Sequence, residues 1–249
     1  VKVVFCGYPG ITVKVRTHSL LQGHALSICY YYYVIMSLID LIFPKKCVNC
    51  RKFGDFLCAD CFSKIRYIDD FNSGPVGNLD QVISAVSYNN ISRKLIRQFK
   101  YRPYVSRLSE IIGEVMNEGL AQNEGFYNFV EQFEPVIIPI PLSPRRLRER
   151  GYNHAELLAS YVAKYFKLVM SNKLLIRIKD TKPQFKLNKK DRIKNIGGAF
   201  DIRENQQVPK SVVIVDDVAT TYATLKEAAK VLKQKGSKRV LGVTFAREL

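Results

Sequence analysis

A chain of 249 residues has room for one substantial domain and a small module. With 47% hydrophobic and 24% charged residues, no internal repeat and no long low-complexity tract, its composition is that of an ordinary folded polypeptide. Thirty-nine Lys and Arg against 22 Asp and Glu leave a formal charge of +17. That excess attracts polyanions, whether nucleic acid, anionic membrane or phosphorylated small molecules, although a basic surface alone selects none of them.

Residues 1–35 contain no acidic side chain and end in CYYYYVI before Met36. The apolar run from Ala25 to Phe43 is long enough to pose the question of a membrane span. Asp40 and the four tyrosines Tyr30 to Tyr33 argue against one, because tyrosine prefers an interface to a hydrocarbon centre. No transmembrane span is therefore expected. Met36 reads as the working start, and residues 1–35 as an unmatched extension with little structure of its own. In SLIDLIF, Leu38, Ile39, Leu41 and Ile42 recur at helical spacing, so a short amphipathic helix is expected.

Cys47, Cys50, Cys58 and Cys61 follow as C-x2-C-x7-C-x2-C. Two such knuckles can bring four thiolates onto one tetrahedral ion, and zinc suits a soft, redox-silent site with no open position. The expected role is structural; the competing reading is a pair of redox CxxC motifs. Gly54 supplies a turn between the knuckles, and Phe53, Phe56 and Leu57 are expected to pack around the metal. Thiol ligands of this kind imply a reducing compartment, most simply the cytoplasm. The helix and cysteine module occupy 36–68, the turn-rich stretch DDFNSGPVGN opens a linker over 69–79, and 80–249 forms the main domain.

In that domain the pattern predicts a strand over Val82–Tyr88, helices over Ser92–Phe99 and Ser106–Leu120, and a buried strand in PVIIPIP (Pro135–Pro141). A helix follows in NHAELLASYVAKYF, with Ala155, Leu158, Ala159, Val162 and Phe166 on one face. SVVIVDDV is a second buried strand, TLKEAAKVLKQKG a helix ended by Gly236, and RVLGVTFA a further strand. Strands alternating with helices give an α/β fold with a largely parallel sheet, whose ligands bind beyond the carboxyl ends of the strands.

Asp216 and Asp217 fall at such an end. Adjacent carboxylates there can accept hydrogen bonds from two vicinal ribose hydroxyls. The following loop, Ala219, Thr220, Thr221, Tyr222, Ala223 and Thr224, offers amides and hydroxyls to a phosphate at a helix N-terminus. Thr224 and Glu227 match a capping box and are expected to start that helix. The plain alternative is a strand terminator followed by a helix cap.

VVIVDDVATTYAT, Val212 to Thr224, resembles the thirteen-residue phosphoribosyl-pyrophosphate (PRPP) motif of type I phosphoribosyltransferases. PIPLSPRRLRERGYNHAELLA, TKPQFKLNKKDRIKNIGGAF and YNNISRKLIRQFKYR, after the four cysteines, resemble one branch of them, the ComF (competence protein F) family. The resemblance runs from about Ser37 to the C-terminus. It implies the type I phosphoribosyltransferase fold, a parallel sheet flanked by helices with a hood segment, preceded by a zinc ribbon. It also implies PRPP or another ribose 5-phosphate as ligand, with Mg²⁺, and a link to DNA uptake. Matched residue by residue, Asp216 and Asp217 would hold the ribose diol and Ala219 to Thr224 the 5-phosphate. Pro139 to Ser143, with Ile140, Pro141 and Leu142 at its centre, would form the pyrophosphate loop. Arg145, Arg146, Arg148 and Arg150 would neutralise charge on departing pyrophosphate, though RRLRER also reads as a solvated helix face.

Tyr222 departs from the motif, which carries glycine there because the backbone approaches the phosphate or turns to positive φ. Either the loop keeps its shape with the ring turned outward, or PRPP binding weakens. The basic excursion Lys179–Asn195 is expected to be the hood. Its cations could equally track single-stranded DNA, with Phe185, Tyr152 or Tyr101 as stacking surfaces and Lys45, Lys46, Arg51 and Lys52 as a second basic surface. Two readings follow: a PRPP-dependent transferase linked to DNA uptake or utilisation, and a non-catalytic single-stranded DNA-binding competence factor with a vestigial or regulatory pocket. Other competence proteins are the expected protein partners.

Overall fold

The computed structural model describes residues 2–8, 11–17, 45–68, 74–100, 105–181 and 195–248, with backbone alone for 2–8, 11–17 and 105–107. The helix expected after Met36, the apolar run 25–43, Tyr101, Phe185, nearly all of the basic excursion and residues 69–73 of the linker lie outside the described residues. The chain divides into two compact units, Val1–Cys58 and Ala59–Leu249.

In the first unit, β1 (Lys2–Tyr8) pairs antiparallel with β2 (Ile11–Thr17), from Lys2 opposite Thr17 to Tyr8 opposite Ile11. This corrects the expectation of little structure before Met36. The stretch is rich in valine and is split by Pro9-Gly10, which are strand and turn signals. Residues 45–57 form a second small turn. Lys46 bridges Phe53, Cys47 N–H donates to the Lys52 carbonyl at 2.9 Å, and Gly54 takes φ +124 as its turn requires.

The second unit starts with one helical turn, α1 (Ala59–Phe62). Its sheet is built from β3 (Gln81–Ser87), β4 (Val136–Pro139), β7 (Ser211–Ala219) and β8 (Arg239–Arg247), in the spatial order β3-β8-β7-β4. Every pairing in it is parallel. β3, β8 and β7 end level, with Ser87 and Ala219 flanking Arg247, whereas β4 stops at Pro139 beside Val215 and leaves the last residues of β7 open on that side. Between β3 and β4 run α2 (Asn90–Phe99), α3 (Val105–Ala121) and α4 (Glu124–Phe133). After β4 come α5 (Pro144–Arg150) and α6 (His154–Phe166), then the antiparallel pair β5 (Leu175–Arg177) and β6 (Phe200–Ile202). The helix α7 (Ala223–Gln234) joins β7 to β8.

Strand alternation sends Val212 and Ile214 into a buried layer with Leu225, Ala228, Ala229 and Leu232 of α7. α3 and α6 pack together, α3 against β3 and α6 against β4 and β7. Two glycines permit the approach of α3. A Cβ at Gly113 would lie 2.5 Å from the Tyr161 ring, and one at Gly119 would lie 2.9 Å from both the Ala85 Cβ and its carbonyl oxygen. Because the obstacle at Gly119 is strand backbone, Gly119→Ala is expected to lose stability. Overpacking of ~1–3 kcal/mol outweighs the helix-propensity gain of ~1 kcal/mol, and the difference is read as a lowered urea midpoint.

Both outer edges of the sheet are covered. Residues 66–68 bond to β3 through Ile68 N–H to Ala85 O and Ser87 N–H to Arg66 O. On β4, Ile137 N–H donates to Val169 O and its carbonyl accepts from Ser171 N–H.

Candidate functional site

Four short segments converge on the carboxyl end of β7. The first is that end itself. Asp217 is 5% exposed, while Asp216 is half-buried and accepts the Asp217 amide at 2.9 Å through Oδ1. The second is the end of α2. Lys100, its C-cap, places Nζ 2.5 Å from Asp217 Oδ2. The contact is an ion pair between the ammonium and the buried carboxylate.

The third segment is Arg150–His154, where each residue has a mechanical task. Gly151 ends α5 at φ +79, which a side chain would resist. Tyr152 donates its hydroxyl to the Phe99 carbonyl, tying this turn to the residue before Lys100. Asn153 caps α6 through Oδ1 and donates Nδ2–H to the Ile140 carbonyl at 3.0 Å. His154 Nδ1 lies 3.0 Å from an Arg150 nitrogen, which can only donate, so the proton sits on Nε2, facing Asp217 Oδ1 at 3.6 Å.

The fourth segment is the pyrophosphate-type loop and its brace. Ser143 caps α5 and donates its hydroxyl to Asp180 at 2.7 Å; Arg145 meets the same carboxylate at 2.6 Å. Arg146 donates to the Thr181 carbonyl at 2.9 Å, and Arg177 donates to the Thr181 hydroxyl.

Electrostatics separate the two aspartates. Burial, then the neighbouring Asp217 charge, pushes Asp216 up to about 7. Burial would raise Asp217 too, but Lys100 and then His154 hold it well below the carboxylate range. His154 is pushed down by burial, against the pull of Asp217, and stays neutral. The Ser143 hydroxyl, then Arg145, hold Asp180 low. The pair at the strand end is thus one fixed carboxylate and one that titrates near neutrality.

This yields a pH-dependent expectation. The unfolded chain releases the Asp216 proton near 3.8 and the folded chain only near 7, so stability falls as pH rises between them. Asp216→Asn keeps the amide acceptor and removes the charge. It should be more stable than the parent at pH 8 by about 1–3 kcal/mol, an advantage that vanishes near pH 4. Urea titrations across pH in magnesium-free buffer check it.

The loop after the aspartates has glycine-type geometry without glycine: Tyr222 stands at φ 56, ψ 9. Its ring does not turn outward as one sequence-based expectation had it, but packs on the layer beneath α7. That contact offsets the ~1 kcal/mol cost of a left-handed residue. The Thr224–Glu227 capping box is corrected as well. α7 starts at Ala223 with Tyr222 as N-cap and no side-chain cap, and Glu227 instead accepts the Gly198 amide at 2.8 Å. The helix begins two residues earlier than the box requires because the left-handed residue turns the chain first.

Of the expected site residues, Asp216, Asp217, Arg146 and Arg150 are brought to one edge with the 219–224 loop. Arg145 is committed to Asp180 and also lies 3.8 Å from Glu149. Arg148 is exposed. Ile140 is buried and its amide donates to Val215 O at 2.9 Å, so it supports the loop and does not offer its N–H; Pro141 and Leu142 are half-buried beside it. Tyr152 uses its hydroxyl internally and packs on Phe99 at 6.3 Å, which removes it as a free stacking surface. Lys100, His154, Arg177, Asp180 and Thr181 were given no individual role by the sequence, although Lys100, His154 and Thr181 fall within YNNISRKLIRQFKYR, PIPLSPRRLRERGYNHAELLA and TKPQFKLNKKDRIKNIGGAF, and Asp180 within the basic excursion.

One sulfur from each of Cys47, Cys50, Cys58 and Cys61 lies within 4.8 Å of the others. Burial raises the Cys47 thiol, but amides of Cys50, Cys58 and Asn49 bring it down to about 6, which favours the thiolate that a metal needs. The donor set fits zinc. Phe56 and Leu57 are buried as expected, whereas Phe53 is 63% exposed with Lys46 over its ring at 4.7 Å, a correction to the expected packing. His154, Asp216 and Asp217 also offer atoms within 4.8 Å of one another. Among the described residues no helix is long and apolar enough to cross a membrane.

The class defined by this sheet is an α/β fold, a four-stranded parallel sheet flanked by helices, with a four-cysteine cluster that fits a zinc ribbon. In sequence the chain is similar to proteins named for competence and for DNA utilisation. It is 37% identical over 106 residues to Competence protein F of Haemophilus influenzae, covering 42% of this chain and 46% of that one. To Competence protein ComFC of Bacillus subtilis it is 32% identical over 158 residues, 64% of this chain and 60% of the relative. To DNA utilization protein YhgH of Salmonella typhi it is 33% identical over 104 residues, 42% and 45% of the two chains. The matches thus span about half the length of these relatives. No protein-family model matches. A hypoxanthine phosphoribosyltransferase from Staphylococcus aureus is similar at 14% identity, over 57% of this chain and 68% of that one, with a TM-score of 0.32, a superposition that carries no argument.

Proposed function

We propose that the carboxyl edge of this sheet binds a 5-phosphoribosyl ligand, PRPP with Mg²⁺, and that the protein serves DNA uptake or DNA utilisation, as the names of its relatives say of them. The observation that carries the ligand reading is the Tyr222 turn. The chain keeps a left-handed residue at the N-terminus of α7, directly after paired carboxylates, although no glycine is there to make it easy. The N-terminal end of a helix carries partial positive charge, so this turn sets a position that favours a phosphate.

In this reading Asp216 accepts the ribose hydroxyls, and Asp217, held by Lys100 and His154, fixes the strand end from behind. Mg²⁺ would enter with the diphosphate, because Asp217 already faces an ammonium; bound there, it would neutralise charge on the leaving group. In transfer, the bond from C1′ to the diphosphate oxygen breaks with its electron pair leaving on pyrophosphate, and the lone pair of an acceptor forms the new bond at C1′. Arg146 and Arg150 supply fixed positive charge for the departing group. Calorimetric titration with PRPP and Mg²⁺ tests the reading. Binding should weaken by about tenfold or more in Asp216→Asn, the loss of a charge-assisted hydrogen bond, and absence of binding to the parent protein would end it.

The second reading, a DNA-binding factor whose pocket no longer turns over, is favoured by the prior engagement of Asp217 and by the +17 charge. A salt-dependent shift of a labelled oligonucleotide without pyrophosphate release would select it.

A further inference from the structure

We infer that Arg177, together with Arg146, forms a built seat for a phosphoryl or diphosphate group at the foot of the β5–β6 pair, a role that the motif pattern gives only to the arginines around α5. The inference rests on the proposed ligand reading and deepens it. Arg177 ends β5 and is 8% exposed. One terminal nitrogen donates to the Thr181 hydroxyl, and the guanidinium lies over the Phe200 ring at 5.4 Å. Its Nε is buried and has no hydrogen-bond partner among the described residues.

Arg146 approaches the same residue from α5, donating to the Thr181 carbonyl at 2.9 Å. Two guanidiniums therefore meet on Thr181, and among the described residues neither has a carboxylate within ion-pair distance. The nearby carboxylate of Asp180 is taken by Ser143 and Arg145. Burial first, then the charge of Arg146, brings Arg177 down to about 10, and burial followed by Arg150 lowers Arg146. Asp216 and Asp180 pull Arg177 the other way without touching it. A buried cation beside a second cation, with a donor left over, is a costly arrangement unless an anion completes it.

The planar fork of arginine matches phosphate oxygens, and the convergence of two forks suits a group bearing more than one negative charge. Arg177 also feels the Asp216 charge, so the seat and the proposed diol site belong to one electrostatic neighbourhood. The competing role is structural, with Arg177 only pinning β5–β6 through Thr181 and Phe200.

Calorimetry with inorganic pyrophosphate and, separately, ribose 5-phosphate decides between them, using the full chain, Arg177→Met and Arg177→Lys. Arg177→Met should weaken pyrophosphate binding by about 10- to 100-fold while changing ribose 5-phosphate binding less than about threefold. Arg177→Lys keeps the charge but loses the fork, and should recover part of the affinity. Pyrophosphate binding unchanged in Arg177→Met, or both ligands lost together with a lowered Tm, would overturn the seat. Should Arg177→Met not fold, Arg177→Lys decides, since parental pyrophosphate affinity in it would remove the need for the fork. If the parent binds ribose 5-phosphate and not pyrophosphate, the seat fails and the ligand reading stands. If it binds pyrophosphate and not ribose 5-phosphate or PRPP, the reverse holds, and if it binds none of the three, both fail.

Discussion

Replacing Lys100 by methionine should lower the stability of the protein by about 3–5 kcal/mol, the cost of leaving a buried carboxylate without its ion partner. Asp217 is nearly inaccessible, Lys100 Nζ is 2.5 Å from it, and neutral His154 has no charge to substitute. The melting temperature should fall by roughly 6–20 °C for a chain of this size. Because Lys100 keeps Asp217 ionised well below 3.8, the stabilisation is complete above that value and is lost as pH falls through the lower folded value. The gap between parent and variant should hold across pH 5–8 and close only in stronger acid. Adding Asp217→Asn to Lys100→Met should recover part of the loss, since the orphaned charge is gone. A double-mutant cycle with purely additive effects would refute the pair.

The second large effect concerns the cysteines. Purified under reducing conditions, the protein should carry one zinc per chain, and a strong chelator or Cys47→Ser should abolish amide protection in residues 45–58. Binding energies near 10–16 kcal/mol for four-ligand structural zinc exceed anything the few buried side chains of this segment supply. Metal analysis and hydrogen exchange check both halves. Well under one zinc per chain, or protection that survives chelation, would return the cysteines to the redox reading.

The strands were legible because buried parallel strands must be runs of Val and Ile bounded by turn formers, as in Val212–Val215 and Ile137–Ile138. The Asp216–Asp217 pair was legible because few structural needs place two acids at such a strand end. α4 went unread although Phe126, Phe129, Val130 and Phe133 fall at helical spacing behind an Asn123 cap, since aromatic-rich runs look equally like strand. β5 and β6 are three residues each, too short for any period to show. Lys100, His154 and Arg177 are ordinary residues in the linear chain. Their importance arises only when α2, α6 and β5 arrive at the same edge, 54 positions apart for Lys100 and His154. The Thr224–Glu227 pattern misled for a complementary reason: a local signature was present, but a left-handed Tyr222 had already begun the helix.

The covering of β3 by residues 66–68 and of β4 by residues 169–171 has a practical outcome for handling the protein. Edge groups already bonded in this way give a second molecule no template at those positions for strand addition. Association between copies at these two stretches must run through side chains, and concentrated solutions of the folded chain should resist fibrillar growth seeded from them.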